Sequence, residues 1–205
     1  MSIITRIVKA GGPHPCMRIY LDGHYVFSLK PEAAACLSVG QQLNDDELEN
    51  LIQLSARERA MAIAMRAIAG RPHSRQEMEQ KLVHKQLDGE VVTYTLDNLA
   101  TRGLLNDNEF AGFWRENRDA FRPRSRALVE QELRRKGVAS DIIKDVTASM
   151  DDEASAFQAG EKKARTLLRV DRDTFYRRLG DYLRRRGYNY EVIHVTIDKL
   201  WQARI

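Results

Sequence analysis

Two clusters of basic side chains, dominated by arginine, stand out in this chain of 205 residues. A guanidinium group presents a planar fork of N–H donors, so clustered arginines are suited to bidentate contacts with carboxylates or phosphates. The chemistry they offer is anion recognition, not bond-making. The candidate binding residues are Arg122, Arg124, Arg126, Arg134, Arg135 and Lys136 in the first cluster, and Arg177, Arg178, Arg184 and Arg185 in the second.

Each cluster has a simpler explanation, which is the solvated face of an amphipathic helix. The second cluster forms two i,i+7 pairs, and the members of each pair fall two turns apart on one helix face. Phe175, Leu179 and Leu183 occupy a neighbouring face and are expected in the core. One such helix alone would favour the solvated face. Basic residues recur, however, at equivalent positions of two segments. Because of this recurrence, a binding surface and a solvated helix face are equally good interpretations.

Residues that could support catalysis are scattered. The chain has no Gly-x-x-x-x-Gly-Lys phosphate loop and no arrangement typical of a nucleophilic triad. His14 and Cys16 form the only close His/Cys pair, and a zinc site would need two more ligands at suitable spacing. Acidic pairs precede predicted helices, where negative charge is favourable in any case. We therefore expect no enzymatic activity, no metal and no cofactor.

Two stretches of the chain are nearly the same. Arg71–Arg75 reads RPHSR and Arg122–Arg126 reads RPRSR, and each is followed by Glu-Gln, Leu and Lys at the same offsets. A weaker third copy appears where Leu133–Gly137 is echoed by Leu183–Gly187. A repeat of about fifty residues indicates stacked helical modules, which form extended binding surfaces more readily than enclosed pockets.

The fold class that follows is mainly α, with tandem three-helix repeats forming a curved elongated rod behind a small N-terminal β unit. The predicted divisions are 1–55 for the β unit with short helices, 56–105 for repeat 1, 106–149 for repeat 2 and 150–205 for repeat 3. Capping residues and glycines mark the helices. They are predicted at 45–54, continuing or bending into 56–69, and at 75–85, 90–102, from 107, at 125–136, from 140, and after the caps Asp171 and Asn189.

Aromatic residues in the repeats are predicted to pack inside. Phe110, Phe113, Trp114 and Phe121 are spaced for one helix face and are expected in the core, not as base-stacking platforms. Three tyrosines flank the second basic cluster: Tyr182, Tyr188 and Tyr190. Packing between helices is the favoured role for them, and stacking on a nucleic-acid base is the alternative.

The N-terminal segment reads as β structure. Apolar and polar residues alternate in 17–21 and again in 25–29, on either side of Asp22-Gly23, which is a two-residue hairpin signal. We expect three strands in this unit. Because so short a sheet is marginal alone, it should attach to another element.

Charge and composition point to the partners. Residues 1–114 carry 12 Lys/Arg and 14 Asp/Glu, a net of −2, whereas residues 115–205 carry 21 and 15, a net of +6. A basic half suits nucleic acid or an acidic protein face. No apolar run approaches a membrane span, and two cysteines make no disulfide framework. We expect a cytoplasmic protein with no membrane partner.

The repeat residues resemble the RecX family of recombinase regulators. The resemblance covers about 56–203. Its most specific parts are the junction Gly103–Ala111, which reads GLLNDNEFA, and the second repeat with Ser125 and Glu132–Val138, which reads ELRRKGV. The N-terminal β unit also resembles the longer members. Gln86 departs from the pattern, since a glycine usually ends that helix in the family.

The resemblance implies a partner, the RecA recombinase filament on single-stranded DNA. It implies a monomeric, non-enzymatic modulator that restrains RecA's ATPase, strand-exchange and co-protease activities. The basic residues of repeats 2 and 3 would then contact acidic filament residues or DNA phosphates. A direct DNA-binding protein built from helix-turn-helix-like modules is the alternative. The third helices carry few basic residues, which counts against sequence-specific readout.

Overall fold

The computed structural model describes residues 1–11 and 15–203. They form a mainly helical protein with three tandem three-helix domains and a small N-terminal antiparallel sheet, as the sequence predicts. The chain divides into two compact units. The first contains Met1–Arg71 and Met78–Leu104, and the second contains Pro72–Glu77 and the chain from Leu105 onward. The predicted domain boundaries at 55, 105 and 149 stay predictions.

The N-terminal sheet has one strand more than expected. The strands β1 (Ser2–Ala10), β2 (Cys16–Leu21), β3 (His24–Leu29) and β4 (Gln42–Leu43) are antiparallel in the order β3-β2-β1-β4. Residues Asp22 and Gly23 both have positive φ and form the predicted hairpin turn. The sequence pattern does not predict β4, because two residues are too few to show alternation.

A single long helix supports the sheet. After the short helix α1 (Pro31–Ala34), α2 runs without a break over Asp45–Ile68. The capping box predicted from Asn44 and Glu47 is present, with both hydrogen bonds formed. Midway along α2, Ser55 donates to the backbone oxygen of Ser28, 2.7 Å away on β3. This contact anchors the middle of the helix to the sheet.

Two further helices complete the first repeat, α3 (Arg75–His84) and α4 (Gly89–Thr101). Their buried residues include Met78, Leu82, Leu96 and Leu99. The exposed Gln86, which stands where the family pattern has glycine, adopts φ +57°. A side chain in this left-handed conformation brings Cβ against the following carbonyl oxygen, so the position is strained.

Replacing Gln86 by glycine should therefore stabilise the protein. The Gln86→Gly variant removes the Cβ and loses no buried contact, and we expect its free energy of unfolding to rise by about 1 kcal/mol. Urea denaturation followed by circular dichroism measures the change. Gln80→Gly, at an exposed position inside α3, is the control and should lower stability by about the same amount. A loss of stability in Gln86→Gly would contradict the strain argument.

The second unit contains the helices of the other two repeats. In repeat 2, α5 (Asp107–Phe121), α6 (Arg126–Arg135) and α7 (Ser140–Thr147) pack around Phe110, Val129, Leu133 and Ile143. In repeat 3, α8 (Asp152–Ala164), α9 (Arg172–Arg184) and α10 (Tyr190–Gln202) enclose a core that includes Phe175, Leu179, Leu183, Ile193 and Ile197. The predicted caps Asp171 and Asn189 accept backbone hydrogen bonds.

Of the aromatic residues expected in the core, Phe113 is only partly buried and Phe121 lies outside the core. Phe110 is fully buried and Trp114 packs against the same core, but Phe121 is 74% exposed. The periodicity places Phe121 on the correct helix face. It is nevertheless the last residue of α5, beyond the stretch that the other helices of the repeat cover. Helical spacing gives the direction of a side chain, not the length of the packed face.

The repeated motif forms two similar joints within the second unit, with a serine hydroxyl as donor in one and a serine backbone N–H in the other. Ser74 donates to the backbone oxygen of Lys136 (2.7 Å), and the backbone N–H of Ser125 donates to the oxygen of Arg186 (3.0 Å). Each acceptor residue is followed by a glycine with positive φ, Gly137 or Gly187. The start of the middle helix of one repeat (α3 or α6) thus contacts the turn that ends the middle helix of the next repeat (α6 or α9).

Carboxylates close both joints. The backbone N–H of Arg75 donates to Asp107 Oδ1 at 2.9 Å, and that of Arg126 donates to Asp152 Oδ1 at 2.7 Å. Asp107 and Asp152 each begin the first helix of the following repeat. The first N–H groups of a helix have no acceptor within the helix. Here the next repeat supplies one.

Gly187 should tolerate no side chain. An added Cβ would lie 2.6 Å from Ser125 Oγ and 2.8 Å from Leu128 Cβ, in addition to the strain of φ +86°. We expect Gly187→Ala to cost at least about 3 kcal/mol of unfolding free energy. Gly103→Ala is the matched control, because Gly103 has φ +68° with no atom near an added Cβ. It should cost about 1–2 kcal/mol. Equal losses in urea denaturation would show that the joint is not close-packed.

Candidate partner and nucleic-acid interface

The second repeat binds most of its basic side chains to its own carboxylates. Glu132, on α6, is nearly buried, and its Oε2 accepts hydrogen bonds from Trp114 Nε1 at 2.8 Å and Arg118 Nε at 2.7 Å. Arg124 forms an ion pair with the other oxygen of Glu132. Burial lowers the pKa of Arg124, and the neighbouring guanidinium groups lower it further. This arginine therefore helps hold the loop between α5 and α6 against α6.

A second glutamate on α6 holds two more of the predicted residues. Glu130 accepts from Arg126 at 3.1 Å, from Arg134 at 2.8 Å and from Thr147 Oγ1 at 3.3 Å. Burial by itself would raise the pKa of Glu130, but these hydrogen bonds outweigh it, so that the pKa lies below its ordinary value. A partner anion would have to compete with this carboxylate.

Both the side chain and the backbone of Lys136 make contacts. Its Nζ lies 2.5 Å from Glu77 Oε1 and 5.2 Å from the centre of the Trp114 ring, while its backbone oxygen accepts from Ser74. These contacts tie the end of α6 to the segment Pro72–Glu77 of the same unit. Of the basic residues in this cluster, Arg122 and Arg135 are exposed and have no ion pair among the described residues.

The third repeat presents its arginines differently. Arg177, Arg178, Arg184 and Arg185 are all exposed on or beside α9. Arg184 alone has a described carboxylate partner, Asp181 at 3.5 Å, and its side chain remains 76% exposed. At 3.6 residues per turn, the pair Arg177/Arg184 and the pair Arg178/Arg185 lie about 100° apart around the helix. The result is a broad basic surface rather than a single stripe.

The flanking tyrosines divide between packing and exposure. Tyr188 is buried, its hydroxyl lies 2.7 Å from Ser155 Oγ, and desolvation raises its pKa to about 12. Tyr182 packs against the repeat-3 core, and the Arg186 guanidinium lies 4.4 Å from the centre of its ring, next to the joint with Ser125. Packing between helices is thus confirmed for these two. It is wrong for Tyr190, which is 81% exposed.

A basic groove in the first unit was not apparent from the sequence. It has a volume of about 720 Å³ and lies between α2 and α3, lined by Arg66, Lys81, His84 and Lys85 among others. The net charge of −2 over residues 1–114 concealed it, because a charge count averages over all faces. The i,i+4 spacing of Lys81 and Lys85 was the available signal.

The described residues contain no group of three or more His, Cys, Asp or Glu side chains that could hold a metal ion. Of the His14–Cys16 pair, His14 lies outside the described residues; Cys16 and Cys36 are free thiols. Over the same part of the chain, no helix has the length and apolar character needed to cross a membrane.

The low pKa of Glu130 predicts a pH-dependent contribution to stability. Since its pKa is lower in the folded than in the unfolded chain, the stabilisation is present above its ordinary value of 4.5 and disappears as the pH falls through the folded-state value. Glu130→Gln should lose about 2 kcal/mol at pH 7. Urea denaturation over a pH series measures the difference in unfolding free energy between Glu130→Gln and wild type. This difference should become smaller as the pH falls below the ordinary pKa of Glu130.

The control for this prediction is Glu79→Gln. Glu79 occupies the equivalent position 51 residues earlier but is exposed, so its substitution should have little effect at any pH. A constant difference between Glu130→Gln and wild type at all pH values would contradict the assignment of the ionised carboxylate as the stabilising species.

The three-helix domains match those of a known protein family. Sequence models of the first, second and third RecX three-helix domains match residues 60–99, 106–146 and 151–196. The regulatory protein RecX of Mycobacterium avium is 34% identical over 139 residues, which cover 66% of this chain and 80% of that protein. The RecX of Streptomyces coelicolor is 33% identical over 135 residues, covering 64% of this chain and 72% of that protein.

Solved structures agree on the fold. A crystal structure of a regulatory protein RecX aligns with a TM-score of 0.64 at 20% identity, covering 97% of this chain and 100% of that chain. The crystal structure of RecX from Lactobacillus salivarius aligns with a TM-score of 0.59 at 18% identity, covering 71% of this chain and 96% of that chain.

Proposed function

The chain belongs to the RecX family of regulatory proteins, and we propose that it binds the RecA recombinase filament on single-stranded DNA and inhibits it. The activities restrained would be ATP hydrolysis, strand exchange and the co-protease activity that triggers the SOS response. The specific partner follows from the family resemblance of the three-helix repeats.

The observation that carries the proposal is the exposure of the α9 arginines. Four guanidinium groups on or beside one helix are accessible to solvent, and only one has a described carboxylate partner, at 3.5 Å. A filament of protein and DNA presents carboxylates and phosphates together, and arginine suits both. The second-repeat arginines support the proposal less, since their own glutamates already bind Arg124, Arg126 and Arg134.

The mechanism we infer is that of a binding protein. Occupying the filament with a basic helical surface would hinder the subunit movements or the strand access on which hydrolysis and exchange depend. The protein would work as a monomer in the cytoplasm, without cofactor or enzymatic activity of its own. Single-stranded DNA would be contacted within the filament.

Direct DNA binding without RecA is the competing function. A helix that reads bases in the major groove carries basic and amide side chains. The third helices α4, α7 and α10 contain Lys144 and Lys199 as their only lysines or arginines. The arrangement therefore favours contacts with phosphates or with protein over sequence-specific readout.

Reversing charge on α9 tests the proposal. The double variant Arg178→Glu/Arg185→Glu changes two exposed side chains that have no described ion-pair partner, so folding should be unaffected. We expect half-inhibition of RecA's single-strand-DNA-dependent ATP hydrolysis to require at least about tenfold more of the variant than of wild type.

The matched control is Lys144→Glu/Lys162→Glu. It makes the same change in net charge at exposed positions on α7 and α8 and should inhibit like wild type. Unchanged inhibition by the folded α9 variant would remove α9 from the interface. If wild type leaves RecA unaffected but binds DNA with strong salt dependence, direct DNA binding replaces the proposed function.

A further inference from the structure

A groove between α9 and α10 accounts for the exposed Tyr190. It has a volume of about 390 Å³, within the range of small-ligand sites. Both of its walls are helices of repeat 3, so the groove lies wholly within the second unit. Its lining residues are Tyr176, Gly180, Arg184, Tyr188, Tyr190, Ile193, His194 and Ile197.

Flat rings form the sides of the groove. Tyr190 is 81% exposed, and its ring centre lies 6.0 Å from that of His194, one turn further along α10. Tyr176 faces them from α9, and its hydroxyl donates to Asp198 at 2.6 Å. Asp198 also lies 3.0 Å from His194 Nδ1, so one carboxylate orients a ring on each side of the groove. The rings of Tyr176 and His194 are thus held in place before a ligand arrives.

The floor is apolar and kept open by a missing side chain. Gly180 lies between Tyr176 and Arg184 on one row of α9, at i,i+4 spacing. A Cβ at Gly180 would lie 3.5 Å from Ile197 Cδ1 and 3.9 Å from Ile193 Cγ2, which is ordinary contact. Glycine in mid-helix is costly compared with alanine, so its presence here favours a role for the space it leaves.

One edge of the groove carries arginine side chains. Arg184 lines it with 76% of its side chain exposed, and Arg177, seven residues earlier, points in nearly the same direction from α9. An anion held by these guanidinium groups would lie beside the aromatic walls. The site therefore combines a planar apolar slot with an adjacent anion-binding edge.

This combination matches one class of ligand. A nucleotide of single-stranded nucleic acid carries a flat base next to a phosphate, and such strands are bound by aromatic stacking together with a basic track. We propose that the groove between α9 and α10 holds one unpaired nucleobase, stacked on Tyr190, with the adjoining phosphate on Arg184 and Arg177.

The inference deepens the proposed function, on which it rests for the nature of the strand, and it gives repeat 3 a direct contact with the DNA. An apolar side chain of the filament protein is the rival occupant of the same groove. It would fill the slot without needing the phosphate edge. The two are separated by an experiment on this protein alone, without RecA.

The test uses two fluorescent oligonucleotides of equal length, oligothymidylate and a wholly abasic strand with the same phosphates. Wild type should bind the thymidine strand about tenfold more tightly, because only that strand can stack. Tyr190→Ala should bind both strands equally, at the abasic level, whereas Tyr190→Phe should keep the preference. Tyr25→Ala, at an exposed tyrosine of the N-terminal sheet, is the matched control and should behave like wild type.

Two results would overturn the inference. Equal binding of both strands by wild type would mean that only phosphates are contacted. Weaker inhibition of RecA by Tyr190→Ala, with its oligonucleotide preference intact, would assign the groove to a protein side chain. Melting temperatures of all variants exclude unfolding as the cause. If wild type prefers the thymidine strand but leaves RecA unaffected, the groove is a base-binding site and the proposed function is wrong.

Discussion

The structure depends on one joint, in which the serine-capped start of a middle helix receives the turn that ends the next middle helix. A turn of this kind needs positive φ and a close backbone approach, so the positions after Lys136 and Arg186 are glycines. The donors at the helix start are satisfied by backbone and carboxylate oxygens from the following repeat. Modules of about fifty residues bury little surface alone, and within the second unit the joint links the start of one middle helix to the turn that ends the next.

The same joint decides which arginines are available. Arg124 and Arg126 flank the serine that starts α6, and Glu132 and Glu130 bind them there. Removing charged groups from water is costly, so these pairs form where partial burial requires them. In repeat 3 the corresponding surface closes no further joint among the described residues. Arg177, Arg178, Arg184 and Arg185 stay in solvent there, and among the described residues only Arg184 has an ion pair, with Asp181 at 3.5 Å.

Exposure and rigidity coincide at the groove of repeat 3. Asp198 links Tyr176 and His194, and Tyr188 is fixed by Ser155, so the aromatic walls rest on a packed core. A preorganised site loses less side-chain entropy on binding than a flexible one. A helical repeat protein can thus carry a local, shaped site on a surface otherwise suited to extended electrostatic contact. The basic groove between α2 and α3 shows that charged surface is not confined to the C-terminal half.

The sequence by itself determined the elements: the repeats, their helices, the caps at Asn44 and Asn189, and the hairpin at Asp22-Gly23. These features follow from local periodicity and backbone preferences, which neighbouring residues express directly. Only the tertiary structure decided that α2 runs unbroken, that Phe121 and Tyr190 are exposed, and that glutamates pair with four of the six residues in the second-repeat basic cluster. Burial and ion pairing depend on residues distant in the chain, and a one-dimensional pattern contains the direction of a side chain but not what covers it.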